Sequence, residues 1–270
     1  SAAKAAIEAC FSRMDELETL LSRFQPESQV SLLNHSGVLK EPHPAMLELV
    51  RRSASISLIS GGLFDITILP LLNLYQQRRA QDGSLPVQDE LETACRKVDY
   101  RRLAVLESEL RFCEPGMAVT LDGIAKGYIV DQAVNLLRQH GFTDFLLEAG
   151  GDLIASGRPD IDRSWKIGIQ SPRGSEDELA AELDISDQAV ATSGDYMQPF
   201  AADYSRHHIL NPRTGSSSTA LSSATVIAPN LALADALATT LMVMAPDKGM
   251  ELVKRLGLRA VLITKDGEIL

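Results

Sequence analysis

The sequence predicts an α+β fold: one compact unit over residues 1–270, with a mixed β-sheet and packed helices. Three observations predict it. Apolar residues at helical spacing open the chain and recur over 44–60, 125–140 and 231–244. Short β-type runs crowd the stretch between residues 103 and 228. There is no regular strand–helix alternation, internal repeat or low-complexity linker, which argues against a doubly wound sheet and marks no sharp domain boundary.

Each element has its own justification. Residues 4–22 read as an amphipathic helix, with Ile7, Phe11, Met14, Leu17 and Leu21 as the apolar stripe and Pro26 as the stop. A short element covers 28–34. A second helix starts near Pro44 and ends at Gly61-Gly62. Residues 76–94 are polar and carry turn signals at Asp82-Gly83 and Pro86, so they read as an excursion from the body of the fold. Residues 103–106 and 110–113 read as a hairpin, and 119–121 as a further strand running into Asp122-Gly123. A helix over 125–140 ends on Gly141. Strands follow at 145–147, 153–155, 165–170, 189–192 and 224–228. The helix carrying Asp235, a shorter helix over 247–256 and a strand over 260–264 close the chain.

Composition narrows the function classes. The hydrophobic content of 45% and charged content of 23% belong to an ordinary globular protein. The net charge is −10 and no Lys/Arg run occurs, so no nucleic-acid partner is expected. Cys10, Cys95 and Cys113 show neither CxxC pairing nor zinc-ligand spacing. No apolar run has membrane-spanning length, and no signal peptide is visible. An acidic chain that binds a phosphate ligand needs backbone donors or a metal.

Several segments can carry chemistry. Asp235 and Thr239 lie at i and i+4 in an apolar helix, on one face. Their oxygens suit a hard cation such as Mg²⁺, although an Asp held by a helix dipole explains the same spacing. Residues 120–128, Thr-Leu-Asp-Gly-Ile-Ala-Lys-Gly-Tyr, form a strand–turn–helix junction whose free N–H groups can face an anion. Lys126 sits in the first turn, where the dipole does not favour it. That placement hints at an anionic partner, with a solvated lysine as the alternative. Gly150-Gly151-Asp152 indicates a bulge, a close backbone approach or a tight hairpin. His207 and His208, beside Pro212-Arg213-Thr214-Gly215, offer a general base or a structural histidine.

The order of these segments carries more than any one of them. The series runs Ser22-Arg23-Phe24, Gly62-Leu63-Phe64-Asp65-Ile66-Thr67, Asp122-Gly123-Ile124-Ala125-Lys126-Gly127-Tyr128 with Asp131, and Gly150-Gly151-Asp152. It ends with Thr192-Ser193-Gly194, His208 with Pro212-Arg213-Thr214-Gly215, and Ala234-Asp235-Ala236 with Thr239. It resembles the ApbE-type FAD:protein FMN transferases, bacterial flavin transferases, from about residue 10 to the end.

The resemblance implies Mg²⁺-dependent cleavage of FAD. FMN would pass to a Thr or Ser hydroxyl of an acceptor flavoprotein through a phosphoester, and AMP would leave. It implies Gly123 (through its carbonyl), Asp235 and Thr239 as metal ligands, and Phe24, Leu63, Phe64, Asp65, Thr120, Lys126 and Leu210 as FAD contacts. It implies His208 as the base for the acceptor hydroxyl, with Asp235 also catalytic. Ala238 stands where some members carry a second Asp, which leaves the cation one carboxylate fewer. The family usually opens with a strand and a Met-Gly-Thr segment ahead of the first helix, and this sequence starts on the helix. A periplasmic or cell-envelope location follows from the resemblance, with the cytoplasm as the alternative. Two other functions fit the same motifs: an FAD pyrophosphatase that yields FMN and AMP, and a non-catalytic FAD-binding protein.

Overall fold

The computed structural model describes residues 2–175 and 177–270. In chain order, α1 (Ala2–Leu21), α2 (Gln29–Ser36), β1 (Val38–Lys40) and α3 (Pro44–Ile59) come first. Then come α4 (Leu69–Asp82), α5 (Gln88–Cys95), β2 (Leu103–Val105), β3 (Glu109–Phe112) and α6 (Ala125–Gln139). β4 (Phe145–Ala149), β5 (Asp152–Ser156), β6 (Trp165–Gln170), β7 (Leu179–Ile185), β8 (Gln188–Gly194) and β9 (Leu221–Ala228) follow. α7 (Leu231–Val243), α8 (Pro246–Arg255) and β10 (Arg259–Thr264) end the chain. Among the described residues no helix is long and apolar enough to cross a membrane.

Contacts gather the chain into two units, each assembled from non-contiguous segments. The first takes the chain up to Glu16, Lys126–Gly194 and Ala220–Leu270; the second takes Leu17–Ala125 and Asp195–Thr219.

The first unit is built on a five-stranded sheet in the order β10-β9-β8-β5-β4. The α+β expectation holds, and the pairing is antiparallel throughout rather than mixed. β9, between β10 and β8, is buried at every position. α7 is apolar on nearly all sides, which a helix tolerates only when buried, and eleven of its residues are buried. Strand alternation places Val190 and Ile227 on one face, where they pack with Leu153, Ala155 and Ile185. The first turns of α1 differ from the expected stripe. Ala6 and Cys10 are buried, while Ile7 and Phe11 stay 50% and 61% exposed. The Cys10 thiol donates to the Ala133 carbonyl of α6 at 3.4 Å, so the helix presents its small residues at this close approach.

The second unit contains a small antiparallel sheet, β1-β3-β2. The polar segment 76–94 is not an excursion. It forms the second half of α4 and nearly all of α5, which bury Tyr75, Leu91 and Ala94 in a cluster with Leu69, Leu71, Leu72 and Leu210. Arg78 and Glu90 pair between the two helices, so polar residues cover the outside of an apolar contact. Tyr75 stacks on Phe200 at 4.9 Å and donates to the Gly215 carbonyl at 3.0 Å. Residues 119–121 belong to no strand among the described residues. The Asn34 side-chain amide takes the place of one: it donates to the Val119 carbonyl at 2.8 Å and accepts from the Val119 N–H at 2.7 Å. A side chain doing a strand's work leaves the periodicity of the segment strand-like, which is why sequence pattern alone read it as β.

Candidate active site

In the first unit, Asp235 and Thr239 occupy one face of α7, as their spacing requires. Asp235 is 6% exposed. Its Oδ2 accepts from the backbone N–H of Gly127 at 3.1 Å. Gly127 is the third residue of α6, so this N–H has no acceptor within its own helix. The capping reading of Asp235 holds in altered form: the carboxylate sits at a helix N-terminus, but that of α6 rather than of its own helix.

The N-terminus of α7 is fixed with equal care. Asp131 of α6 accepts from the Leu231 and Ala232 N–H groups at 2.8 and 3.0 Å, and Asn230 caps the Leu233 N–H at 3.0 Å. Gly127 and Asp131 lie one turn apart on α6, and both face this end of α7. A Cβ on Gly127 would lie 2.5 Å from the Leu231 carbonyl carbon and 2.7 Å from the Ala232 nitrogen, so only glycine fits.

Lys126 precedes Gly127 and remains partly in solvent, with 42% side-chain exposure. Its anionic partner in the protein is Asp152, buried at the end of the Gly150-Gly151 turn, at 2.6 Å. Both glycines hold positive φ, 61° and 91°, which a tight β4–β5 hairpin demands. The other oxygen of Asp152 accepts from the Thr192 N–H at 3.0 Å. The next residue, Ser193, shares a hydrogen bond of 3.3 Å with Thr239. The interactions close into a circuit: Lys126, Asp152, Thr192-Ser193, Thr239, one turn of α7 to Asp235, and Gly127 beside Lys126. The anion that Lys126 called for in the sequence is thus supplied in part by Asp152. The ammonium still has donors and solvent access for a second one.

The donors are oxygens, with no imidazole or thiol among them. Among the described residues, no group of three or more His, Cys, Asp or Glu is placed to hold a metal ion. A closed protein cage for a transition metal is therefore not built here. A hard cation that keeps waters and takes substrate phosphate oxygens fits a set with one carboxylate and one hydroxyl.

The second unit holds the remaining sequence-predicted residues. Phe24 is 70% exposed, and the Arg23 guanidinium lies 4.1 Å from its ring centroid. Arg23 Nε also pairs with Asp122, beside Gly123, at 2.7 Å. Phe64, Thr120 and Leu210 are buried and Leu63 is half-buried. Thr120 accepts from the Asp122 N–H at 3.1 Å and so shapes the same turn. Asp65 is occupied by the fold. Its carboxylate accepts from the N–H and hydroxyl of Thr67 and from the Tyr100 N–H, at 2.8, 2.6 and 2.8 Å. Burial pushes its pKa up, against the pull of those donors.

His207 and His208 divide their roles. His207 is fully buried, with Nε2 3.0 Å from the Ser218 carbonyl and Nδ1 accepting from the Ile209 N–H, the structural alternative. The Nδ1 of His208 is buried without a hydrogen-bond partner. Burial and then the neighbouring His207 lower the His208 pKa to about 4, with weaker opposing contributions from the Gln198 backbone and Asp122. His208 is therefore a neutral imidazole at physiological pH, with an unused ring nitrogen.

Sequence reasoning missed Arg23, Asp122, Asp131, Asp152 and Ser193 as partners of site residues. The Gly150-Gly151-Asp152 signal pointed at one of them. The others depend on contacts between residues 46 to 100 positions apart, which no local pattern encodes.

Comparison with known proteins identifies the family. A model of the ApbE family matches residues 2–262. A relative from Escherichia coli K12 named FAD:protein FMN transferase is 33% identical over 267 residues, covering 95% of this chain and 76% of its own. The crystal structure of an ApbE protein from Thermotoga maritima superposes with a TM-score of 0.90 at 28% identity, over 99% of this chain and 88% of that one. The flavin transferase ApbE from Vibrio cholerae gives 0.85 at 27% identity, over 97% and 85%. The chain belongs to the ApbE family.

Proposed function

We propose that this protein transfers the FMN half of FAD to a Thr or Ser hydroxyl of an acceptor flavoprotein, releases AMP and requires Mg²⁺. The observation that carries the reading is the circuit in the first unit. It ties a buried carboxylate and a hydroxyl to a solvent-accessible ammonium, an arrangement suited to a cation and a phosphate side by side. The names of the relatives support the FMN-transfer part of this reading.

The bonds balance simply. The acceptor oxygen forms a bond to the FMN phosphorus, the pyrophosphate P–O bond breaks, and AMP leaves with the bridging oxygen. The hydroxyl proton goes to a base. Asp235 and Thr239 are the residues of the first unit that would hold Mg²⁺, which would supply charge neutralisation of the pyrophosphate. Lys126 attracts a phosphate oxygen, and Asp152 fixes the direction from which it does so. His208 takes the hydroxyl proton; as a neutral imidazole it has one ring nitrogen able to accept it. Removal of Mg²⁺ with EDTA should stop AMP release, and added Mg²⁺ should restore it. AMP release that persists in EDTA would contradict the cation requirement.

The buried neutral His208 sets a pH dependence. Its folded pKa of about 4 lies below the ordinary value of 6.5, so the unfolded chain takes up a proton first as pH falls. The stabilisation is complete above pH 6.5 and lost as pH drops towards 4. It amounts to about 3 kcal/mol from this group. Urea unfolding of wild type and His208→Asn at a series of pH values measures it: the wild type should lose stability more steeply below pH 6.5. Parallel curves would contradict the assignment. For kcat/KM, the acid limb should likewise fall near pH 4, and not near 6.5.

A further inference from the structure

Phe24 is 70% exposed, yet the residue gripping it is not: the Arg23 side chain is only 13% exposed. A solitary exposed Phe needs no explanation. A desolvated guanidinium layered under one does. The guanidinium lies 4.1 Å from the ring centroid, while its Nε pairs with Asp122 at 2.7 Å. The backbone here is tied down as well. The Arg23 carbonyl accepts from Ser31 Oγ at 3.2 Å, and the Phe24 N–H donates to Ser22 Oγ at 3.3 Å. Ser28 caps α2 through the Ser31 N–H at 3.0 Å, which anchors the loop to a helix. One face of the ring is covered by a cation and the other is open.

We propose that Arg23 is a positioning residue for the flavin: it makes Phe24 a rigid stacking platform for the isoalloxazine ring and locks that platform to the Asp122-Gly123 turn. The inference rests on the FMN-transfer reading. Arg23 does not touch the substrate; it acts through Phe24. Its planar guanidinium stacks on the ring and keeps one edge for the carboxylate, a combination that lysine lacks. An aromatic ring held in place before binding spares the cost of ordering it when the flavin arrives. The platform serves the flavin ring and not the adenosine half, so its loss should separate two ligands that both carry phosphate.

Fluorescence titration with FMN, alongside calorimetric titration with ADP, tests this. Arg23→Ala should weaken FMN binding and its fluorescence quenching about tenfold, the scale of a desolvated cation–π contact. ADP affinity should stay within about twofold, because the lost contact is not to phosphate. Arg23→Lys keeps the charge but not the planar fork, so it should recover only part of the loss, and full recovery would mark a general charge effect and overturn the platform role. Phe24→Leu should match Arg23→Ala, and the double variant should lose little more than either. Unchanged FMN affinity in Arg23→Ala, or an equal loss for FMN and ADP, would overturn the proposal. Failure of the wild type to bind FAD or FMN at all would instead sink the transfer reading, and this inference with it.

Discussion

Gly127→Ala should destabilise the protein by about 3 kcal/mol, at the upper end for added volume in a tight contact. Helix propensity alone predicts the opposite sign, since alanine in a helix interior gains up to about 1 kcal/mol over glycine. The close approach of α6 and α7 decides the outcome. The new methyl would lie 2.5 Å from one backbone atom of Leu231 and 2.7 Å from one of Ala232, and backbone cannot swing aside as a flexible side chain can. The melting temperature should fall by roughly 6–12 °C on the scaling for chains of this size. Activity should fall further than the residual folded fraction explains, because α7 carries Asp235 and the Gly127 N–H orients its carboxylate. A melting temperature equal to or above that of the wild type would show that α6 and α7 do not meet in this way.

Asp235→Asn should reduce turnover by about 10²–10³-fold, the loss seen when one preorganised electrostatic group is removed from a reaction centre. It should also leave stability near that of the wild type. Asparagine keeps an oxygen to accept from the Gly127 N–H but loses the charge that a cation needs. Asp235→Ala is a less clean probe. It also strips the buried Gly127 N–H of this acceptor, at a cost of about 1–3 kcal/mol. Comparing the two variants separates the roles: loss of stability confined to Ala is the capping role, and loss of turnover shared by both is the cation role. Turnover of Asp235→Asn within about threefold of wild type would remove the charge from the mechanism.

The helices over 125–140 and 231–244 and the strands of the main sheet were legible because apolar periodicity is strong where elements are buried. α1 was found but rotated, because its large apolar residues Ile7 and Phe11 outrank the small Ala6 and Cys10 in any hydrophobic stripe. Close helix packing rewards small side chains, and that preference is invisible without the partner. α4 and α5 read as an excursion in sequence because the Arg78–Glu90 pair and the other polar residues mask a narrow apolar contact. At the site, residue types and order singled out Asp235, Thr239, Lys126 and His208 as candidates. Sequence could not show that Asp65 is a cap for Thr67 and Tyr100, or that Asp152 neutralises Lys126. Both are long-range or local hydrogen-bond choices that a carboxylate's name does not reveal.

The central claim is transfer rather than hydrolysis or storage. Its most direct test is intact mass spectrometry of an acceptor flavoprotein incubated with this protein, FAD and Mg²⁺, with AMP quantified in the same reaction. The account predicts an acceptor heavier by one phosphoester-linked FMN at a Thr or Ser, with one AMP per flavin attached. Free FMN and AMP with an unmodified acceptor, or intact FAD throughout, would contradict it.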